Sequence, residues 1–231
     1  MSELVLASGN RHKVVELAAM LADAAPGLRV VAMTQYGEPP AIAETGDTFV
    51  ANAQLKAHGI AAWLRERGAP GDTLVLADDS GISVDALGDA PGVISAVWAG
   101  DPCDDAANNR KLVEELRARG LDGSAAHYSC VLVLVRVDGA ALPDGRSIAV
   151  FEGRWDVEVR SEARGTGGFG YDPHAWLLRA AEQQGRAGGR DESWLDGGAR
   201  TVAELDRDAK ASVSHRGRAL RALVAWWRSL A

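Results

Sequence analysis

Cysteine is scarce in this 231-residue chain: there are two, Cys103 and Cys130, far apart and forming no C-x-x-C pair. That leaves no basis for a disulfide framework or a cysteine zinc site, and it points to a reducing, cytoplasmic setting. Long hydrophobic runs are missing too. The apolar stretch at residues 4–7 is too short for a signal sequence, Met1-Ser2-Glu3 before it carries no positive charge, and nothing later approaches the length of a membrane span, so a soluble protein without a membrane partner is expected. Positive charge is in deficit: 25 Lys and Arg against 32 Asp and Glu leave a formal net charge of −7. A broadly basic nucleic-acid binder is thereby excluded, and an anionic ligand has to be held by locally placed cations, backbone amides or a metal ion. Lysine is rarest among those means, with only Lys13, Lys56, Lys111 and Lys210.

What is present is the balance of a globular protein, 47% hydrophobic and 25% charged residues, enough for one large domain or two lobes. Residues 4–7 read as a buried strand, 8–10 as a turn, and Val14, Leu17, Ala18 and Leu21 as the apolar face of a helix. A second strand at 28–33 completes a βαβ unit, which favours parallel pairing. A loop at 34–46 leads to a helix over about 48–67 and a third strand at 74–77 that ends in Asp78-Asp79-Ser80-Gly81. A helix at about 105–119 precedes two long strands, 126–137 and 147–160, spaced as an antiparallel hairpin. Residues 165–170 form a glycine-rich loop, 185–198 read as a flexible insertion, and a last helix runs from about 214 to 230. The expected class is α/β with a long mixed sheet flanked by helices.

Four segments carry chemistry. Ser8, Gly9, Asn10, Arg11, His12 and Lys13 lie between a strand and a helix, where helix N-terminal amides and a lysine suit phosphate oxygens; the alternative is an ordinary turn in which Ser8 or Asn10 caps the helix. Asp78 and Asp79 lie at the carboxyl end of an apolar strand, where ligands of open α/β sheets gather. Neighbouring carboxylates on extended chain point to opposite sides, and hard oxygens suit Mg²⁺ or Mn²⁺; alternatively the pair only organises a turn with Gly81. In the glycine-rich loop, Phe169 or Tyr171 offers a stacking surface and Asp172 an acceptor, against a plain loop with its aromatics in the core. Lys210, His215 and Arg216 bring cationic or polar donors before the last helix, against a solvated charged stretch capped by Ser214.

Taken in order, these segments resemble the inosine/xanthosine triphosphate pyrophosphatase family. The resemblance is carried by Leu-Ala-Ser-Gly-Asn-x-x-Lys at 6–13, by Thr48-Phe49, Asn52-Ala53 and Leu55-Lys56-Ala57, and by Ala-Asp-Asp-Ser-Gly at 77–81 with Val-Asp-Ala-Leu-Gly at 84–88. Ala90-Pro91-Gly92, Ser95-Ala96, Gly-Gly-Phe-Gly-Tyr-Asp-Pro at 167–173 and Ser-His-Arg-Gly at 214–217 complete it.

The resemblance implies a single catalytic domain over residues 1–231, built as two lobes with the active site in the cleft between them. It implies a homodimer that hydrolyses non-canonical purine triphosphates (dITP, ITP, XTP) to the monophosphate and pyrophosphate with Mg²⁺. Residues 8–13 and Lys56 would grip the triphosphate, Asp79 would hold metal and accept a proton from the attacking water, and Ser80 would contact the nucleotide. Phe169, Gly170, Tyr171, Asp172, Lys210, His215 and Arg216 would form the base pocket. The chain departs from the family pattern at Ala43, where many members have a metal-binding glutamate, and at Ala51, where an acidic residue is common. The neighbouring Glu44 stands one step along, which on extended chain directs it to the other side. Metal is therefore expected on Asp79 and substrate phosphates, with Asp78 or Glu44 as further ligands, and weakly in the absence of nucleotide.

Overall fold

A computed structural model describes residues 3–24, 28–178 and 200–230; the expected insertion at 185–198 lies outside the described residues. In chain order the elements are β1 (Glu3–Ala7), α1 (Arg11–Ala24), β2 (Arg29–Ala32), α2 (Phe49–Glu66), β3 (Leu74–Val84), α3 (Asp105–Ala118), β4 (Gly123–Arg136), β5 (Ala149–Arg160), β6 (Ala175–Leu177), α4 (Arg207–Val213) and α5 (His215–Arg228). The strands form a six-stranded sheet in the order β2-β1-β3-β4-β5-β6. It is mixed: β1 pairs parallel with β2 and β3, and β5 pairs antiparallel with β6. The βαβ expectation at the N-terminus is met by the β1–α1–β2 parallel pair. The boundaries of β2 and β3 differ from the sequence reading in ways that matter for the site. β2 stops at Ala32 because a short 3₁₀ turn, Met33–Tyr36, takes over. β3 does not end at residue 77; it runs on to Val84, so Asp78-Asp79-Ser80-Gly81 is strand and the turn alternative fails.

The chain divides into two compact units. The first comprises Met1–Asp79, Cys130–Gly153 and Arg216–Ala231. Its core follows from strand alternation, since successive side chains take opposite faces. Leu4, Leu6, Leu74 and Leu76 share one cluster with Cys130, Leu132 and Leu134 of β4, closed by Leu17 and Leu21 of α1 and by Ala219, Leu220, Leu223 and Val224 of α5. Val5, Ala7, Val75 and Ala77 share another with Val131, Val133 and Val135, closed by Ala53, Ala57, Ile60, Ala61 and Leu64 of α2. The in-register pairing of residues 4–7 with 74–77 keeps each cluster on its own face. Full burial of each large aliphatic side chain contributes about 1.5–3 kcal/mol. Trp226 and Trp227 pack partly buried against the first cluster.

The second unit comprises Ser80–Ser129 and Arg154–His215. Its core joins Ile82 and Val84 of β3, Leu112 and Leu116 of α3, Tyr128 of β4, Trp155 and Val157 of β5, and Tyr171, Ala175 and Leu177 around β6. Among the described residues, no helix is long and apolar enough to cross a membrane.

Candidate active site

In the first unit the alternation that sorts the core also sorts the two aspartates. Asp78 follows Leu74 and Leu76 onto the face covered by α1 and α5, while Asp79 follows Val75 and Ala77 onto the face covered by α2. Both are buried, at 2% and 4% exposure, yet they meet different neighbours.

Asp78 is saturated. Lys13 Nζ of α1 stands 2.5 Å from Oδ1, Arg216 Nε of α5 3.3 Å from Oδ2, and the Cys130 thiol donates to Oδ2 at 3.1 Å. Arg216 also pairs through Nη1 with Glu16 at 2.7 Å. Burial by itself would raise the Asp78 pKa, but the charges of Lys13 and Arg216 outweigh it and hold the carboxyl well below its ordinary value. Burial, with Asp78 beside it, pushes the Cys130 thiol far up, so it stays a protonated donor. These contacts use both oxygens of Asp78, which removes it from the candidate metal ligands.

Asp79 is open by contrast. Lys56 Nζ, from α2, donates to Oδ1 at 2.8 Å, and Oδ2 is buried with no hydrogen-bond partner among the described residues. Burial pushes its pKa up from 3.8 to about 6, with Lys56 and Lys13 pulling against that rise and Glu44 adding to it. Lys56 also reaches Glu44 Oε2 at 3.0 Å. The expectation that Glu44 points away is thus corrected, because both carboxylates meet at one ammonium. The loop carrying Glu44 is pinned where Gly46 N donates to Asn52 Oδ1 at 2.8 Å and Thr48 caps α2 through Ala51 N. A Cβ at Gly46 would lie 2.7 Å from the Ala51 methyl, so glycine is needed for this close approach. Burial lowers the Lys56 pKa, but Asp79 and Glu44 more than offset it, and the net shift is upward.

The turn before α1 has the capping geometry foreseen. Ser8 Oγ accepts from Asn10 N at 3.2 Å and Asn10 Oδ1 from Lys13 N at 3.3 Å, leaving Gly9 exposed at the helix N-terminus. Arg11 and His12 fall in the first turn of α1, and their side chains lie outside the described residues. Ser80 continues β3 as the first residue of the second unit.

In the second unit a further aspartate gathers donors. Asp172 Oδ2 accepts from Lys210 Nζ at 2.6 Å and from Phe169 N at 2.9 Å, and Oδ1 accepts from Tyr128 Oη at 3.2 Å. Lys210 Nζ stands 4.7 Å from the centre of the Phe169 ring, and the Tyr128 and His215 rings stack at 4.8 Å and 9°. Gly168, at φ +73°, lets the loop fold tightly around the Asp172 carboxylate, where a side chain would collide. α3 holds the loop from outside, with Asp105 accepting from Gly170 N at 2.7 Å and Asn109 donating to Gly170 O at 2.9 Å. Tyr171 is a core residue whose hydroxyl donates to Ser95 O at 2.8 Å, so of the two aromatics Phe169 is the one left beside Lys210.

Sequence reasoning grouped Arg216 with His215, but successive helical residues diverge by about 100°. Their partners differ accordingly: Tyr128 for His215, Asp78 and Glu16 for Arg216. Tyr128, Cys130 and Glu16 went unrecognised. Glu16 had a local signal, three residues beyond Lys13 on one helix face. Tyr128 and Cys130 had none, since their partners are remote in sequence. Three of the four lysines each meet an aspartate, while Lys111 donates to Trp98 O and lies over that ring. Elsewhere in the second unit, Asp85, Asp89 and His127 bring potential ligand atoms within 4.8 Å of one another, with both carboxylates exposed.

Residues 4–226 match the Ham1 family. The chain is 43% identical over 229 residues to a dITP/XTP pyrophosphatase of Chromobacterium violaceum, covering 99% of this chain and 98% of the relative. It is 40% identical over 230 residues to one of Streptomyces coelicolor, covering 100% and 99%. The solved structure of a HAM1 protein from Coxiella burnetii superposes with a TM-score of 0.77 at 34% identity, covering 99% of this chain and 100% of that one. With its mixed sheet, its paired β3 aspartates and full-length similarity of this degree, the chain belongs to the Ham1 family.

Proposed function

We propose that this protein hydrolyses non-canonical purine nucleoside triphosphates, those of inosine, deoxyinosine and xanthosine, to the monophosphate and pyrophosphate. Relatives about 40% identical over their full length bear the name dITP/XTP pyrophosphatase. The observation that carries the chemistry is Asp79, a buried carboxylate with one oxygen on Lys56 and the other without a partner among the described residues.

That bare Oδ2, with Glu44 on the same lysine, fits a hard divalent cation such as Mg²⁺, with Mn²⁺ as a substitute. The Asp85, Asp89 and His127 group includes an imidazole, which suits Mg²⁺ less well. Asp79 and Glu44 would hold the ion, which when bound offsets negative charge on the phosphate oxygens. Lys56, Lys13 and the amides at the start of α1 supply further positive potential for the triphosphate. Asp79, with its raised pKa, takes a proton from the water that attacks the α-phosphorus, and the bond to the β-phosphate breaks to release pyrophosphate. On the base side, Phe169 stacks, and Lys210 and His215 donate toward the C6 oxygen that hypoxanthine and xanthine carry and adenine lacks. A mismatched buried polar group supports discrimination of about 10⁴–10⁵ against adenine. A cytoplasmic homodimer acting on free nucleotides, without nucleic-acid or membrane partners, belongs to the same reading.

The test is pyrophosphate release from ITP, dITP, XTP, GTP and ATP with and without Mg²⁺. Turnover of ITP, dITP and XTP far above ATP, lost without Mg²⁺, is expected. Equal turnover of ATP and ITP would contradict the base reading, and full activity in chelator would contradict the metal reading.

A further inference from the structure

We propose that Lys56 is a resident counter-ion, its ammonium bridging the Asp79 and Glu44 carboxylates and excluding a divalent cation until a triphosphate arrives to take the lysine over. The inference deepens the proposed metal-assisted hydrolysis and rests on it for the identity of the arriving anion.

The geometry is that of a cation already in place. Nζ stands 2.8 Å from Asp79 Oδ1 and 3.0 Å from Glu44 Oε2, so one positive charge sits where two carboxylates converge. Its backbone is anchored on α2, between Ala53 and Ala57, which are fully buried in the core. The lysine side chain is only 14% exposed, so solvent screens little of its charge. Neither contact can be left without separating opposite charges that are largely out of water. Nor does a neighbouring carboxylate invite it away: Asp78, on the opposite face, already has Lys13 and Arg216.

A divalent ion arriving alone therefore finds Asp79 Oδ2 bare but must approach a fixed positive charge and compete for Oδ1 and Glu44. A metal–triphosphate complex faces a different balance. Its phosphate oxygens accept the ammonium, both carboxylates are released to the metal, and no buried charge is left alone. Metal and nucleotide then enter as a unit. Glu44, one residue along from the family's usual glutamate position, matters in this scheme as the second clamp on the lysine.

The test uses Mn²⁺ alone with the full-length, nucleotide-free protein, read by the electron paramagnetic resonance signal of free Mn²⁺ and by calorimetry. It is run at mildly alkaline pH, above the ordinary range of carboxylates. Neutral replacements Lys56→Met and Lys56→Gln are each expected to bind Mn²⁺ about tenfold or more tightly than wild type, while Lys56→Arg stays weak. Adding Asp79→Asn to Lys56→Met should abolish the gain. Circular dichroism identifies folded variants, and either neutral replacement suffices. Equal Mn²⁺ affinity in wild type and a folded neutral variant would overturn the role of Lys56, as would a gain that survives Asp79→Asn. Neither result touches the hydrolase reading, which stands or falls on product release from ITP by the wild-type protein.

Discussion

Asp78 and Asp79 are consecutive residues of one strand, equally removed from water, and they are set up for opposite work. On the face covered by α1 and α5, Asp78 collects two cations and a thiol and is held ionised. On the face covered by α2, Asp79 meets one lysine shared with Glu44, keeps one oxygen bare, and is pushed up to about 6. Burial does not separate them; the number of donors opposite each does. A saturated carboxylate serves as a structural anchor, whereas one with an unfilled oxygen is available to a metal ion or to a water proton.

The comparison breaks if substitutions at the two positions do the same thing. The largest expected effect is on turnover: Asp79→Asn should lower pyrophosphate release from ITP by about 10²–10⁴ while the protein stays folded, with a urea midpoint at or above that of wild type. Asp78→Asn should do its damage to stability. It leaves Arg216 and Lys13 facing a neutral group in a buried position, a loss of about 3–5 kcal/mol readable by urea denaturation.

The pH dependence of stability should carry opposite signs for the two groups. The folded-state pKa of Asp78 is depressed, so its contribution is present above 3.8 and is lost as pH falls below that value. That of Asp79 is raised, so its contribution is present below 3.8 and is lost as pH rises through about 6. Between these values Asp79 should make the metal-free protein less stable by about 3 kcal/mol as pH rises, and Asp79→Asn should flatten the slope. The smallest effect belongs to the thiol: Cys130→Ala removes a donor to Asp78 and should cost about 1–2 kcal/mol, with Cys130→Ser recovering part of it.

Much of this arrangement was legible in the residues. Alternation along an apolar strand foretold that Asp78 and Asp79 would face apart, and the Ser8–Asn10 turn foretold the cap of α1. The run of β3 through Ser80 and Gly81 was less visible, because two aspartates followed by Ser-Gly have the composition of a turn and strand pairing overrides it. Glu44 was misdirected by a local rule. Residues 39–46 have no regular secondary structure, so strand alternation does not govern them; the hydrogen bond from Gly46 to Asn52 does. The pairing of Arg216 with Asp78 spans 138 positions and leaves no periodic trace in the sequence.

The central claim, that two adjacent buried carboxylates are held in opposite states, is tested most directly by following the side-chain carboxyl carbons of Asp78 and Asp79 by ¹³C NMR as the metal-free protein is titrated. The account predicts that Asp79 titrates near 6 and that Asp78 remains ionised at pH 3.8 and below for as long as the protein stays folded. Both groups titrating together near 3.8, or Asp78 taking up its proton first, would contradict it.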